Sequence, residues 1–226
     1  MQTEVAFIIP VYNEGPVLKT VLNTVLNNFS TVVCIDDGSR DNSVAEIMKT
    51  GALLVRHPIN MGQGAALQTG IDFALQIPGI KYFVTFDADG QHSIKDVVKM
   101  IEILKNNKVD IVVGSRFLGE AVNITLVKKL VLKLAIQFTN LFSGVRLTDA
   151  HNGLRVFNRK FAEKIDINMP GMAHASEIVD KMGRGDWKYM ETAVTISYTD
   201  YSRSKGQPLL NSVNILMDVL LSRTRR

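Results

Sequence analysis

At 226 residues the chain suits one ordinary domain with its own core, and 46% hydrophobic against 21% charged residues excludes a disordered chain. A formal charge of +4, with no dense Lys/Arg block before the last few residues, gives no support to a nucleic-acid binder. A single cysteine, Cys34 in an apolar run, excludes an intramolecular disulfide and predicts a buried thiol that suits a reducing compartment.

In chain order, the apolar run 5–11 predicts a buried strand and 14–28 a helix. Residues 31–35 predict a second strand that ends on the turn-forming Asp36-Asp37-Gly38-Ser39, with Asp41 placed to cap the helix that follows. A short strand at 53–56 precedes a helix at 63–76 entered through Gly62 and Gly64. Residues 82–86 form the next strand, Ser93 caps a helix reaching 106, and 111–114 is a further strand. Strands alternating with helices at this spacing predict βαβ units and a twisted, mainly parallel sheet flanked by helices, an α/β fold. Ligands of such sheets bind beyond the carboxyl ends of the strands, where Tyr12-Asn13-Glu14, Asp36-Asp37, Asp87-Ala88-Asp89 and Ser115-Arg116 fall.

The second half differs. Apolar residues at helical spacing near 124–143, with Lys129, Lys133 and Gln137 opposite, predict an amphipathic helix, and a second follows near 208–222 before Arg223, Arg225 and Arg226. Met1-Gln2-Thr3-Glu4 lacks the basic start and apolar core of a signal peptide, and no stretch reaches the roughly 18 apolar residues of a spanning helix. No repeat or linker interrupts the chain. The expectation is one domain over 1–226, peripheral at the cytoplasmic face of a membrane.

The densest chemistry is Phe86-Asp87-Ala88-Asp89-Gly90-Gln91-His92. Two carboxylates at the end of an apolar strand repel each other, and a hard divalent cation relieves that repulsion while its remaining positions take phosphate oxygens. A solvated turn is the plainer alternative for an Asp-x-Asp on its own. Here Pro10-Val11-Tyr12-Asn13-Glu14, Asp36-Asp37-Gly38-Ser39 and Asn60-x-Gly62-x-Gly64 precede it in order, each closing a strand.

With these motifs in this order, the chain resembles the inverting family 2 glycosyltransferases of GT-A fold, most closely the dolichol-phosphate-mannose and polyprenyl-phosphate sugar synthases. The resemblance runs from Pro10 to about Pro208. It implies that Pro10, Tyr12, Glu14, Asp36, Asp37, Gly62, Gly64, Asp87 and Ala88 bind a nucleotide sugar. It implies Mg²⁺ or Mn²⁺ on Asp87 and Asp89, with Gln91 as a further ligand. Arg116 would sit among the phosphates, and Asp149 and Arg155 of Thr148-Asp149-Ala150-His151-Asn152-Gly153-Leu154-Arg155 would line the acceptor side. Tyr201-Ser202-Arg203-Ser204-Lys205-Gly206 is similar to a basic loop of the lipid-linked branch, so Arg203 and Lys205 would close over the phosphates. Glu177 matches an acidic residue that either removes a proton from the acceptor or orients basic neighbours.

The resemblance thus implies metal-dependent, inverting sugar transfer to a polyprenyl phosphate for cell-envelope glycans, with catalytic parts for Asp89, Arg116, Glu177, Arg203 and Lys205. A UDP-sugar is favoured over a GDP-sugar as donor, and a small membrane-protein partner or a second copy of the chain is admitted. Two alternatives stay open. One is a family 2 transferase acting on a saccharide hydroxyl, with Glu177 or Asp149 as base. The other is a nucleotide-binding partner subunit without catalysis.

Overall fold

The computed structural model describes residues 2–122, 126–169 and 171–205. The expected apolar runs become the central strands β1 (Gln2–Val11), β2 (Phe29–Asp36), β3 (Leu53–Arg56) and β4 (Tyr82–Thr85). Between them lie helices α1 (Gly15–Leu26), α2 (Ser43–Met48) and α3 (Gln63–Leu75). After β4 come α4 (Ile94–Asn107), β5 (Ile111–Val122), α5 (Leu126–Ser143), β6 (Arg155–Asn158), α6 (Arg159–Ala162), α7 (His174–Arg184), β7 (Tyr189–Ser197) and α8 (Asp200–Lys205).

The strands form one seven-stranded sheet in the order β3-β2-β1-β4-β6-β5-β7. Every neighbouring pair is parallel except those made by β6, which runs antiparallel to both β4 and β5. The mainly parallel sheet is therefore present, with one reversed strand that the sequence pattern did not announce. Four residues of β6 carry too little periodicity to show direction. Its reversal matters for function, because it brings the segment 149–155 back beside the end of β4.

Side chains from both faces of the sheet are buried. On one face Phe7 meets Phe29 and Phe86 in tilted contacts, with ring centroids 4.6 and 5.5 Å apart. On the other, Phe83, Phe157 and Phe161 continue the core under α3 and α7. Full burial of such a ring contributes about 2–3 kcal/mol. Parallel strands covered on both faces read as unbroken apolar runs, and this is why β1 and β2 are plain in the sequence.

Several local expectations need correction. Strand β5 runs well past 114, to Val122, and its pairing with β7 shifts register between Ser115 and Glu120. The polar Ser115-Arg116 and Glu120 hide this extension from a hydrophobic reading. Ser93 occupies the cap position of α4 but its side chain makes no capping bond. Asn42, not Asp41, holds the cap position of α2 and makes no capping bond; Asp41 instead ties two helix starts together, one carboxylate oxygen accepting from Ser43 N at 2.9 Å and the other from Gly15 N at 3.0 Å. The segment 200–205 is a short helix rather than a loop. The helix expected near 208–222 lies outside the described residues.

Candidate active site

The carboxyl ends of β1, β2, β3 and β4 open on one edge of the sheet. Between the first three lies a cleft of about 570 Å³ lined by Tyr12, Ser39, Arg56, His57 and Asn60 among others, within the size range of small-ligand sites. Asn13 builds one wall with a left-handed backbone, φ 55°, that Asn tolerates better than most residues. Its N–H donates to Ser39 Oγ at 2.9 Å, and its Oδ1 accepts from Arg40 N at 2.8 Å. Pro10 sits at the end of β1 in register with Ile35.

The two aspartates that close β2 separate in role. Asp36 is fully buried: Oδ1 accepts from Ser39 N at 3.3 Å, and Oδ2 has no hydrogen-bond partner among the described residues. Arg56 Nε lies 3.6 Å from that Oδ2, beyond hydrogen-bond reach. A buried carboxylate oxygen left open beside a cleft is the mark of a ligand contact. Asp37, by contrast, is consumed internally. Its Oδ1 pairs with His57 Nδ1 at 2.7 Å and accepts from Met61 N at 2.8 Å, while Oδ2 accepts from Gly62 N at 2.8 Å. The expectation that Asp37 touches the nucleotide is corrected: it clasps the 57–62 loop that walls the cleft.

The glycines divide similarly. Gly62 has φ 91°, a conformation that L side chains rarely adopt, and so permits the turn into α3. Gly64 gives close approach, but to the chain itself: a Cβ there would collide with the Met169 carbonyl and reach within 3.0 Å of His174 Cβ. It is a packing glycine.

Beyond β4, Asp87 and Asp89 face one another across the buried Ala88. The Ala88 methyl belongs to the core, so its backbone is the part available to a ligand. Asp87 Oδ1 accepts from Gln63 Nε2 at 3.1 Å and Oδ2 pairs with His92 Nε2 at 2.9 Å. Burial works to raise the Asp87 pKa, but the His92 hydrogen bond and the charges of His92, His174 and Arg155 outweigh it and hold the pKa below the ordinary carboxylate value. Burial and the Asp87 charge push Asp89 the other way, above its ordinary value. Gln91 bonds both Asp89 oxygens, Oδ1 through its backbone N at 3.1 Å and Oδ2 through Nε2, which leaves its amide oxygen as the donor an ion would use. Gly153 lies against the Asp87 carboxylate so closely that a Cβ would strike it.

This donor set suits a hard cation. Two carboxylates and an amide oxygen are all hard ligands, and Asp89, raised first by burial and then by the Asp87 charge, is a carboxylate that Mg²⁺ or Mn²⁺ would favour in its charged form. Among the described residues no group of three His, Cys, Asp or Glu forms a metal cluster of its own. Gln63 and His92, which hold Asp87, went unassigned in the sequence. His92 had a signal in its place five residues after Asp87, on the same turn.

The acceptor-side residues Asp149 and Arg155 are buried, at 0% and 1% exposure, and Asp149 Oδ1 and the Arg155 guanidinium have no hydrogen-bond partner among the described residues. Asp149 Oδ2 accepts from Arg116 N at 3.0 Å and Nε at 2.6 Å, and Arg116 also reaches Tyr198 Oη at 2.7 Å and the His151 carbonyl at 3.4 Å. Burial lowers the Arg116 pKa, yet Asp149 and Tyr198 more than reverse that and fix its charge. Arg116 is thus anchored between β5, β7 and the 148–152 turn. Glu191, overlooked in the sequence, fastens the same turn by accepting from Thr148 N and Asp149 N.

Glu177 on α7 is buried. It accepts from Asn168 N at 3.0 Å and Met169 N at 2.7 Å and pairs with Lys181 Nζ at 2.9 Å. Of its two expected roles, this geometry matches the orienting one. On α8, Tyr201 Oη donates to Glu14 Oε2 at 2.7 Å, which sets that helix against the end of β1. Burial and the Glu14 carboxylate push the Tyr201 pKa up. The side chains of Arg203 and Lys205 lie outside the described residues.

Two buried histidines give a pH prediction. Burial lowers the pKa of both His151 and His174 to about 4, with the Arg155 charge adding to it. The unfolded chain binds those protons near pH 6.5, so it gains protons first as pH falls. Stability is whole above about pH 6.5 and is lost progressively towards pH 4, by on the order of a few kcal/mol. Thermal unfolding across pH 7.5 to 5 is expected to show a falling Tm. A flat profile would contradict the neutral, buried state of the pair.

Comparison with known proteins gives the family and the fold. Residues 6–166 match the family model described as glycosyl transferase family 2. The chain is 31% identical over 238 residues to the UDP-N-acetylglucosamine–dolichyl-phosphate N-acetylglucosaminyltransferase of Methanococcus voltae, covering 95% of this chain and 94% of that one. It is 30% identical to the polyprenol monophosphomannose synthase of Mycolicibacterium smegmatis, over 71% of this chain and 64% of the relative. Among solved structures, glucosyl-3-phosphoglycerate synthase from Mycobacterium tuberculosis in complex with Mn²⁺ and UDP-glucose superposes with a TM-score of 0.71 at 16% identity, covering 98% of this chain and 79% of that one. The chain belongs to glycosyl transferase family 2, with the GT-A fold, and is a glycosyltransferase that draws its sugar from a nucleotide sugar.

Proposed function

We propose that the chain is one glycosyltransferase domain that transfers a sugar from a UDP-sugar to a polyprenyl phosphate, with inversion, to feed cell-envelope glycan synthesis. The observation that carries the donor half is the open Oδ2 of Asp36 beside the cleft. Uracil presents one N–H between two carbonyls, whereas the corresponding edge of guanine presents two N–H donors. Asp36 offers one free oxygen, because Oδ1 is taken by Ser39 N, and Arg56 stands next to it to meet a carbonyl. One acceptor beside one donor matches uracil. Leaving the second N–H of a guanine unpaired in a buried site costs about 1–3 kcal/mol.

A divalent ion on Asp87, Asp89 and the Gln91 amide oxygen would supply charge neutralisation for the departing diphosphate. The chain's own residues do the rest. Gln63 and His92 orient Asp87, and Tyr12 and Glu14 border the nucleoside. The family resemblance assigns Arg203 and Lys205, in the α8 segment, to the phosphates. An anionic phosphate oxygen of the acceptor attacks the anomeric carbon as the bond from that carbon to the nucleoside diphosphate breaks. No proton need be removed from such an acceptor, which fits a Glu177 already engaged with backbone N–H groups.

The acceptor half rests on the named activities of the relatives and on one surface. Leu130, Leu134 and Leu141 on α5 are 61%, 62% and 77% exposed, on one face of the helix beside the exposed Lys129 and Lys133. Such a face suits peripheral attachment to an anionic bilayer on its cytoplasmic side. Among the described residues no helix is long and apolar enough to cross a membrane.

Two experiments test these halves. Thermal-shift titrations with Mn²⁺ are expected to show UDP-sugars raising Tm and GDP-sugars raising it far less, because a ligand of the native state stabilises by mass action. Asp36→Asn, which presents an N–H where uracil needs an acceptor, is expected to weaken UDP binding by about tenfold or more. Equal shifts by UDP- and GDP-sugars would remove the uridine assignment. In flotation, the protein is expected to rise with anionic liposomes and to be released as salt screens the attraction. Leu134→Asp should weaken that binding even at low salt. Absence of flotation at low salt would return α5 to a protein–protein contact, and with it a second copy or a small membrane protein as the partner.

A further inference from the structure

Between α5 and β6, the backbone of residues 147–149 is held by side chains from α5 and β7. The Asn140 amide on α5 takes both polar groups of Leu147: Nδ2 donates to its carbonyl at 2.7 Å, and Oδ1 accepts from its N–H at 3.2 Å. The Glu191 carboxylate on β7 accepts from Thr148 N at 2.8 Å, from Asp149 N at 3.1 Å and from the Thr148 hydroxyl at 3.2 Å. With its proton given to Glu191, the Thr148 hydroxyl accepts from Ser115 Oγ at 2.6 Å, which joins the turn to β5. Thr148 is exposed, where water alone could meet its backbone needs. Anchors reaching from 7 and 43 residues away do more than that, because they fix where the turn lies.

What the turn carries is Asp149, whose Oδ2 accepts from both the backbone N and the Nε of Arg116. The other nitrogens of that guanidinium reach Tyr198 Oη and the His151 carbonyl, so its plane is set on three sides. The same segment runs on to Gly153, which abuts the Asp87 carboxylate. One short stretch of chain therefore holds a charged guanidinium at one end and touches a metal-ligand candidate at the other. The position of Arg116 relative to Asp87 depends on how firmly this stretch is fastened, and Asn140 and Glu191 are its fasteners.

We propose that Asn140 and Glu191 are positioning residues of the transfer reaction: by fixing the 147–149 turn they hold Asp149, and through it they aim Arg116 at the phosphate charge beside Asp87. The inference rests on the reaction proposed above, with Arg116 among its phosphates. A cation stabilises developing charge best when it is already in place and need not reorient as the bond breaks. Supporting residues one step removed from the chemistry supply that precision, and a misplacement of about 1 Å can cost ~10²-fold in rate. Neither Asn140 nor Glu191 is assigned a contact with either substrate. Their effect passes through Arg116, and this makes it separable from a general loss of stability.

The test is a double-mutant cycle on kcat for the whole chain, with UDP-sugar, Mn²⁺ and polyprenyl phosphate at saturation. Glu191→Ala is expected to lower kcat by about tenfold or more in the wild-type background, and by less than about twofold in an Arg116→Ala background. Glu191→Gln, whose amide oxygen still accepts from the turn, should recover most of the loss. Asn140→Asp keeps the acceptor but sets an oxygen against the Leu147 carbonyl, and it should show the same dependence on background with a loss of about fivefold. It changes one atom of the side chain, so it carries the test should Glu191→Ala fail to fold. A brace that serves stability alone would lower kcat by equal factors in both backgrounds, or lower Tm and leave kcat unchanged. Either result would overturn the proposal. If Arg116→Ala itself transfers normally, the place of Arg116 at the phosphates falls. If Arg116→Ala is impaired and the two losses simply multiply, only the positioning role of Asn140 and Glu191 falls. A wild type with no transfer to a polyprenyl phosphate would remove the acceptor reading and this inference together.

Discussion

Asp89→Ala is expected to fold normally and to lose about 10³-fold or more in kcat/KM for sugar transfer. The reason lies in two opposed properties of one carboxylate. As a ligand it would hold the charge that offsets the leaving diphosphate, a contribution of several kcal/mol, and each ~1.4 kcal/mol is tenfold in rate. As a component of the fold it contributes little. Its hydrogen bonds are to Gln91 within the same turn, and its nearest charge is the repelling Asp87. Removing it relieves that repulsion, so Tm should hold or rise while turnover collapses. EDTA should abolish wild-type activity, and Mg²⁺ or Mn²⁺ should restore it. Full activity of Asp89→Ala in the presence of EDTA would end the metal assignment.

That contrast between ligand and scaffold is where sequence reasoning reached its limit. Asp87 and Asp89 stand out in the sequence because two acids at the end of an apolar strand have few structural uses. Asp36 and Asp37 form a second such pair, and only the fold shows that Asp36 keeps an open oxygen while Asp37 is taken up by the 57–62 loop. Asp149 and Arg155 are as deeply buried as Asp36. The burial of these residues depends on partners far along the chain: Asp37 on the 57–62 loop, Asp149 on Arg116, Arg155 on the antiparallel pairing of β6 with β4. No local pattern carries such a pairing. The parallel half of the sheet was plain because buried strands are continuous apolar runs, while β6 and β7 lacked that signature. Gln63 and Glu191 show the converse error. Each is an ordinary surface-type residue by composition, and only the fold points it at Asp87 or at the 148–149 turn.

Lys205→Ala and Arg203→Ala are expected to lower transfer to lipid by about 10²-fold each, the usual loss when one preorganised charge is removed from a developing anion. Glu177→Gln is expected to stay within a few-fold of wild type. Tyr201 binds Glu14 and so brings α8, which carries both basic residues, to the nucleotide end of β1. A phosphate acceptor needs such cations to approach a diphosphate of the same charge, and it has no proton to give up. Glu177 is occupied by Asn168 N, Met169 N and Lys181, and the amide oxygen of a Gln can still accept from that backbone. A hydroxyl acceptor reverses this order. Proton removal then enters the barrier, general base catalysis is worth about 10²–10⁴-fold, and Glu177→Gln would be nearly inactive. The measurement is partition of radiolabel from a UDP-sugar between organic and aqueous phases, with undecaprenyl or dolichyl phosphate supplied. Label in the organic phase that falls with Lys205→Ala and survives Glu177→Gln supports the phosphate acceptor. Label confined to water-soluble glycans, with Glu177 indispensable, would transfer the chain to the saccharide-acceptor reading.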